Sequence, residues 1–169
     1  MRPVCSAASG CCDEALEESF RAAMANVAAA VSVVTVLTEG DAHGTTVSAF
    51  MSLSMTPPMM LVSLDSKSDL LSRLRVGSTL GINVLASHQD QIARRFAQKG
   101  VRRFEGVAWT IEDGAPALSE RQAWVAVSVT RFVIAGDHTL VLGAVNAADA
   151  TEEAPLTYWQ RTFGSHRRS

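Results

Sequence analysis

Apolar and polar positions change their period several times along the 169 residues of the chain. Between Asp13 and Ala30, the residues Leu16, Phe20, Ala23, Met24 and Val27 recur every three or four positions, which predicts one face of an amphipathic helix. Asp13 and Glu14 suit the N-terminal end of that helix. Val31 to Thr38 is β-branched and apolar, and Glu39 to Gly44 reads as a hairpin connection into a second strand. Pro57-Pro58 cannot lie inside a central strand, so it marks a turn before the strand Met59 to Leu64. A short helix is expected over Ser68 to Val76, with Leu70, Leu71 and Leu74 as its stripe and Gly77 as its terminating glycine. The strand Leu80 to Leu85 follows, then a helix capped by Ser87, carrying Ile92 and Phe96 and closing at Gly100. Further strands are expected over Val107 to Ile111 and Trp124 to Ile134, the second alternating Val125, Val127 and Val129 with Ala126, Ser128 and Thr130. Gly136-Asp137-His138 forms a tight turn into Thr139 to Val145, and the tail beyond Pro155 carries Tyr158, Trp159 and Phe163. Roughly seven strands with short connections and few helices predict a mainly β (α+β) fold, a closed or nearly closed antiparallel barrel, rather than a parallel βαβ sheet.

Composition narrows this picture. Hydrophobic residues make up 47% and charged residues 19%, enough for a packed core, and the net charge of -2 argues against nucleic acid as the main partner. The basic residues are nearly all arginine, whose planar fork suits phosphate and carboxylate ligands. Cys5, Cys11 and Cys12 sit together in the first twelve residues without metal-ligand spacing, which fits a reducing cytoplasm and a flexible tail over residues 1–12. That tail lacks the apolar core of a secretory signal, and Val27 to Leu37 is too short and too interrupted to span a bilayer. Residues 13–169 are expected to form a single domain.

Several chemistries are absent from the pattern. There is no G-x-G-x-x-G, no P-loop and no G-x-S-x-G elbow, and His43, His88, His138 and His166 are too scattered for a metal site. The informative stretch is Gly44 to Leu71. Its first part is built from small and hydroxyl residues, Thr45, Thr46, Ser48, Ala49, Ser52 and Ser54, where a packing strand would carry bulkier ones. Small side chains leave main-chain N–H and C=O groups open to a flat ligand. Its end, Asp65-Ser66-Lys67-Ser68, places hydroxyls and a cation before a helix, a setting that suits a phosphate. An ordinary hairpin followed by a Ser-capped helix would produce the same pattern.

The segment TVSAFMSLSMTPPMMLVSLDSKSDLL resembles the signature of the short-chain NAD(P)H:flavin reductases, the reductase components of two-component flavin-dependent monooxygenases. GINVLASHQDQIARRFA, GDHTLVLGAV and PLTYW continue the resemblance in the family's order, over roughly Phe20 to Trp159. The resemblance implies an antiparallel Greek-key split β-barrel with a few peripheral helices, in a homodimer. It implies FAD or FMN and NADH or NADPH as cofactors, and a separate monooxygenase that receives the reduced flavin. Carried onto this sequence, it places Thr46, Val47, Ser48, Ala49 and Phe50 along the isoalloxazine and Ser52 and Ser54 near the ribityl chain or phosphate. Asp65, Ser66, Lys67 and Ser68 are expected around the phosphate. Asn83, Arg94, Arg95, Phe96 and Tyr158 are expected to border the flavin. His138 is assigned to the nicotinamide, with a possible role in orienting it; hydride transfer requires no acid–base residue.

The plain readings stand beside these. His138 is also what a surface turn would carry, and Phe96 what a core would carry. The Asn83 amide could be satisfied by a neighbouring backbone carbonyl, and Lys99 and Arg102 could belong to a solvated face. A flavin-binding module without turnover, or a related split-barrel oxidase, is the rival function.

Overall fold

The computed structural model describes residues 9–100 and 102–166; the remainder of the expected tail, residues 1–8, lies outside them. The first helix, α1 (Ser9–Ala25), starts inside the segment expected to be tail and stops short of Ala30. The Asn26 side chain donates to the Ala22 carbonyl at 2.9 Å, and Ala29–Ala30 instead forms a two-residue strand, β1, opposite Thr157 and Tyr158. The apolar stripe of α1 is exposed in the single chain: Leu16 is 69% and Phe20 63% accessible.

The next pair, β2 (Ser32–Thr38) and β3 (Asp41–Val47), is a hairpin with a tighter turn than the sequence suggested. Glu39 and Gly40 take φ of 55° and 88°, the doubly left-handed geometry whose twist suits a two-residue hairpin. His43 and Gly44, expected in the connection, are therefore strand residues. The chain then forms β4 (Phe50–Met55) and β5 (Pro58–Asp65), with Pro58 as the first residue of its strand. The helix expected over Ser68 to Val76 is a single turn, α2 (Asp69–Ser72), although Leu70 and Leu74 are both buried as its stripe required. After β6 (Thr79–Val84) comes α3 (Asp90–Ala97). Gln89 rather than Ser87 occupies its cap position, and the Gln89 amide accepts from Ala86 N and donates to Ser119 O.

A hairpin of β7 (Trp109–Glu112) and β8 (Ala115–Leu118) follows, then the long strands β9 (Ala123–Ala135) and β10 (His138–Ala150). The chain ends in β11 (Leu156–Trp159) and β12 (Thr162–Ser165), which form a three-stranded sheet with β1.

Seven strands form the main sheet, in the order β3-β2-β6-β9-β10-β5-β4, with every adjacent pair antiparallel. Its two edge strands, β3 and β4, are consecutive in sequence and joined only by Ser48 and Ala49. The two ends of the sheet are thus tied covalently, and the sheet curls into the nearly closed barrel that the short connections predicted. Val34, Val36, Val62, Leu64, Leu80, Ile82, Val127 and Val141 fill its interior.

A second cluster lies between the barrel wall and α3 and includes Val31, Val33, Leu85, Ala93, Phe96 and Leu118. Gly81 is required where β6 passes Trp124, which packs with Ala115, Ala117 and Ala126, because a Cβ there would fall 2.4 Å from the Trp124 ring. Asn83 is fully buried beside it. Its amide nitrogen reaches Val33 O at 3.0 Å, and its oxygen accepts from Leu118 N at 2.7 Å, so it ties β8 to the barrel and has nothing left for a ligand. Asn83, expected to border the flavin, is thus placed in the contact between the barrel and β8 and does not line the cleft described below.

Candidate functional site

Among the described residues β3 pairs on one side only, with β2. The Gly44 carbonyl points away from β2, since it accepts from Arg103 Nη1 at 2.6 Å. Main-chain direction alternates along an antiparallel strand, so the N–H and C=O groups of Ala42, Gly44 and Thr46 face outward together. This open edge is the floor of a cleft of about 1230 Å³. One wall is formed by Leu64, Asp65, Lys67 and Ser68 with His138, and the other by Ala97, Lys99, Arg102, Arg103, Phe104 and Trp109. Ser48 and Ala49, the link between the sheet's two ends, are exposed within the cleft.

Close packing under the floor explains the small residues. A Cβ on Gly44 would lie 3.0 Å from Phe96 and 3.2 Å from Thr35, so a side chain here would press into the second core. The Thr46 hydroxyl donates to Ala93 O at 2.6 Å and binds the strand to α3. Arg103 also donates to Gln98 O through both Nε and Nη2, at 2.8 and 2.6 Å, and so fastens the second wall to the floor.

The first wall is shaped by a turn. Asp65 Oδ1 accepts from Lys67 N at 2.7 Å, and Ser68 N donates to Asp65 O at 2.8 Å, which brings Lys67 and Ser68 round to the cleft. His138 stands opposite Asp65 in the β5–β10 ladder. Ser66 N donates to Asp137 O at 3.0 Å, so the 136–138 turn and the Lys67 loop are one unit. The His138 ring lies 2.7 Å from Asp137 Oδ1, and that hydrogen bond holds the Asp137 carboxyl below the usual carboxylate range. Asp69, beside Ser68, has its carboxyl lowered mainly by the hydrogen bond from Arg73, a two-point contact at 3.1 Å. His43, on the floor near this pair, is lowered by burial first and by the Arg73 charge second, which favours a neutral imidazole.

Among the residues expected to bind cofactor, Thr46, Val47, Ser48, Ala49, Asp65, Lys67, Ser68 and His138 line this cleft together. The others do not. Phe50 packs against the barrel core, and β4 turns away from the cleft after the register shift at Ser52/Ser54, the Ser52 hydroxyl meeting Met55. Ser66 contributes its backbone to Asp137 rather than a side chain to the cleft. Phe96 is fully buried edge-on to Phe104, as its core reading required. Arg94 leans over the Phe163 ring at 4.8 Å and pairs with Asp90, while Arg95 donates to Arg102 O. Tyr158 stacks obliquely on Phe163, outside the cleft. Conversely, the sequence reading assigned no site role to His43, Arg103, Phe104 or Trp109, although Arg103 belongs to the run of basic residues after the second helix and Trp109 to the strand expected over Val107 to Ile111. It set Lys99 and Arg102 aside as a solvated face, and they belong to the cleft wall.

Comparison with known proteins decides the family. Residues 24–167 match the flavin reductase like domain. The chain belongs to the flavin reductase like family.

It is 34% identical over 151 residues to the NADH:FMN oxidoreductase of Rhodococcus erythropolis, covering 85% of this chain and 79% of that one. It is 35% identical over 150 residues to the NADH-dependent flavin reductase StyB of Pseudomonas fluorescens, covering 85% and 86%. Among solved structures, the NADH:FAD oxidoreductase SgcE6 of Streptomyces globisporus C-1027, in complex with NAD and FAD fragments, superposes with a TM-score of 0.83 at 28% identity, over 90% of this chain and 93% of that one. The flavin reductase like fold of this chain is thus the split barrel expected from its motifs, and its open β3 edge and Lys67 loop are the parts of that barrel carrying the small-residue signature.

Proposed function

We propose that this chain is an NAD(P)H:flavin oxidoreductase that reduces FAD or FMN for release to a separate flavin-dependent monooxygenase. The observation that carries the reading is the outward main-chain edge of β3, flanked at one end by Lys67 and Ser68 and bordered by His138. A row of fixed N–H and C=O groups matches the polar edge of an isoalloxazine ring, and a cation beside Ser68 matches a ribityl phosphate. The β3 edge with Lys67 and Ser68 would hold the flavin, whose N5 would supply the acceptor for a hydride from a nicotinamide. The residues' task is placement: holding the reacting atoms about 3–3.5 Å apart supplies roughly 7–11 kcal/mol of barrier lowering. The half-buried His138 offers one oriented ring nitrogen for the carboxamide or phosphates of the second ligand.

Relatives named as reductase components of monooxygenases support the role of flavin supply, among them a 4-nitrophenol monooxygenase component that is 33% identical. Among the described residues no helix is long and apolar enough to cross a membrane, and the need for NADH favours the cytoplasm. A homodimer would cover the apolar residues of α1 together with exposed Met51 and Met55 of β4; light scattering that returned a monomer at working concentration would remove this part.

The deciding experiment follows NADH and NADPH oxidation by purified protein with FAD, FMN, riboflavin or no added flavin. Turnover is expected only with flavin present or already bound. Equal NADH oxidation by flavin-stripped protein without added flavin would sink the reductase reading.

A further inference from the structure

The cleft's far wall carries Lys99, Arg102 and Arg103 against Glu105, whereas the near wall sets Lys67 beside Asp65 and Asp69; a flavin phosphate at Lys67 leaves the far cations unaccounted for. On the far wall Lys99 and Arg102 are both exposed to the cleft. Among the described residues neither side chain has a hydrogen-bond or ion-pair partner. Their neighbours explain why. Arg95 donates to the Arg102 carbonyl at 3.2 Å, and Arg103 is committed to Gln98 and Gly44, so backbone carbonyls hold this turn in place. The carboxylates nearest in the chain are also taken or outnumbered: Asp90 pairs with Arg94, and Glu105 is the one acid on this wall against three cations. Two long cationic side chains without partners, aimed into a cleft, repel one another unless an anion lies between them. An arginine fork and a lysine ammonium together suit a group with several phosphate oxygens rather than a single carboxylate.

From this second cationic pole we infer that Lys99 and Arg102 hold the diphosphate of an adenine dinucleotide across β3 from Lys67. The inference rests on the reductase reading and extends it, because it makes the adenylate half of a ligand, and not only its reactive ring, part of recognition. Two ligands carry that chemistry, FAD and the nicotinamide dinucleotide, and the experiment separates them.

Affinities of the full-length protein for FAD, FMN and riboflavin are measured by flavin fluorescence. Those for NADH and reduced nicotinamide mononucleotide are measured by titration, with ADP as a probe that needs no turnover. The Lys99→Ala/Arg102→Ala double variant is expected to lose about tenfold in affinity for ADP and for FAD or NADH, with FMN and riboflavin held as in the wild type. The wild-type binding of the affected dinucleotide should weaken with added salt more steeply than that of the variant. Loss confined to FAD assigns the pole to the flavin's adenylate, and loss confined to NADH assigns it to the nicotinamide's. Arg102→Lys should recover part of the loss, since charge remains while the fork is gone. Unchanged affinity for ADP, FAD and NADH in the double variant overturns the inference. So does an equal loss for riboflavin and the mononucleotide, which would mark a structural role. Failure of the reductase reading is a separate observation, wild-type protein that oxidises no NADH with any flavin, and the ADP measurement stands apart from it.

Discussion

His138 and Asp65 face each other across β10 and β5, so the turn bearing the histidine sits against the loop bearing Lys67. The two lie more than seventy residues apart in sequence, as their numbers show. Distance along the chain therefore says nothing about which ligand His138 serves. Contact with a second ligand now has to be argued from the position of the ring at the cleft border, where it is half-buried and already oriented by Asp137.

His138→Ala is therefore expected to raise the KM for NADH by up to about tenfold, the cost of one oriented donor. A smaller loss of FMN affinity should accompany it, because Ser66 is bonded to the same turn. Steady-state kinetics and flavin titration on one preparation check this. Loss of FMN binding with KM for NADH unchanged would assign His138 to the flavin loop alone.

Lys67→Ala should weaken FMN binding by about tenfold, the lower end of the range for a charged hydrogen bond because the side chain is exposed. Riboflavin, which lacks the phosphate, should bind as before. Equal losses for the two flavins would make Lys67 a structural residue of the Asp65 turn.

Asn83→Ala should lower stability by at least about 1–3 kcal/mol, since Leu118 N loses its buried acceptor. Urea unfolding gives the change, and the flavin dissociation constant of the folded fraction should stay at its wild-type value. A variant of normal stability that had lost flavin would restore Asn83 to the site.

His43 links acidity to stability. Burial and Arg73 hold its imidazole below the ordinary value of 6.5, so as pH falls through about 6.5 the unfolded chain takes up a proton before the folded chain does. Stability is thus lost on acidification from this value downward, and His43→Gln should flatten that loss between about pH 7 and pH 5. The lowered Asp69 carboxyl adds its own loss only at lower pH, as acid reaches its folded value. Thermal melts across this range check the prediction; identical pH slopes in both proteins would refute it.

Alternation and turn chemistry along this chain determined the barrel and the small-residue floor of its site. Both are local properties: Val125, Val127 and Val129 alternate with smaller residues because they face the barrel interior, and Gly44 bears no side chain because Phe96 and Thr35 press from beneath. Lys67 was legible for the same reason, standing in a short turn whose geometry Asp65 sets locally. Only tertiary structure decided which residues share the cleft. Arg94 and Phe96 lie close in sequence to cleft-lining Ala97, yet helix rotation sends one to the outer surface and the other to the core, and strand alternation buries Asn83. Arg103 comes from irregular chain after α3, where no period predicts direction, and Trp109 opens β7; barrel closure carries both back to β3. His43 was hidden by a turn one dipeptide long, which moved it from a loop onto the floor strand. Proximity created by sheet closure has no counterpart in the linear pattern, because the pairing of β3 with β2 fixes which face is open and the rest of the barrel fixes what stands opposite.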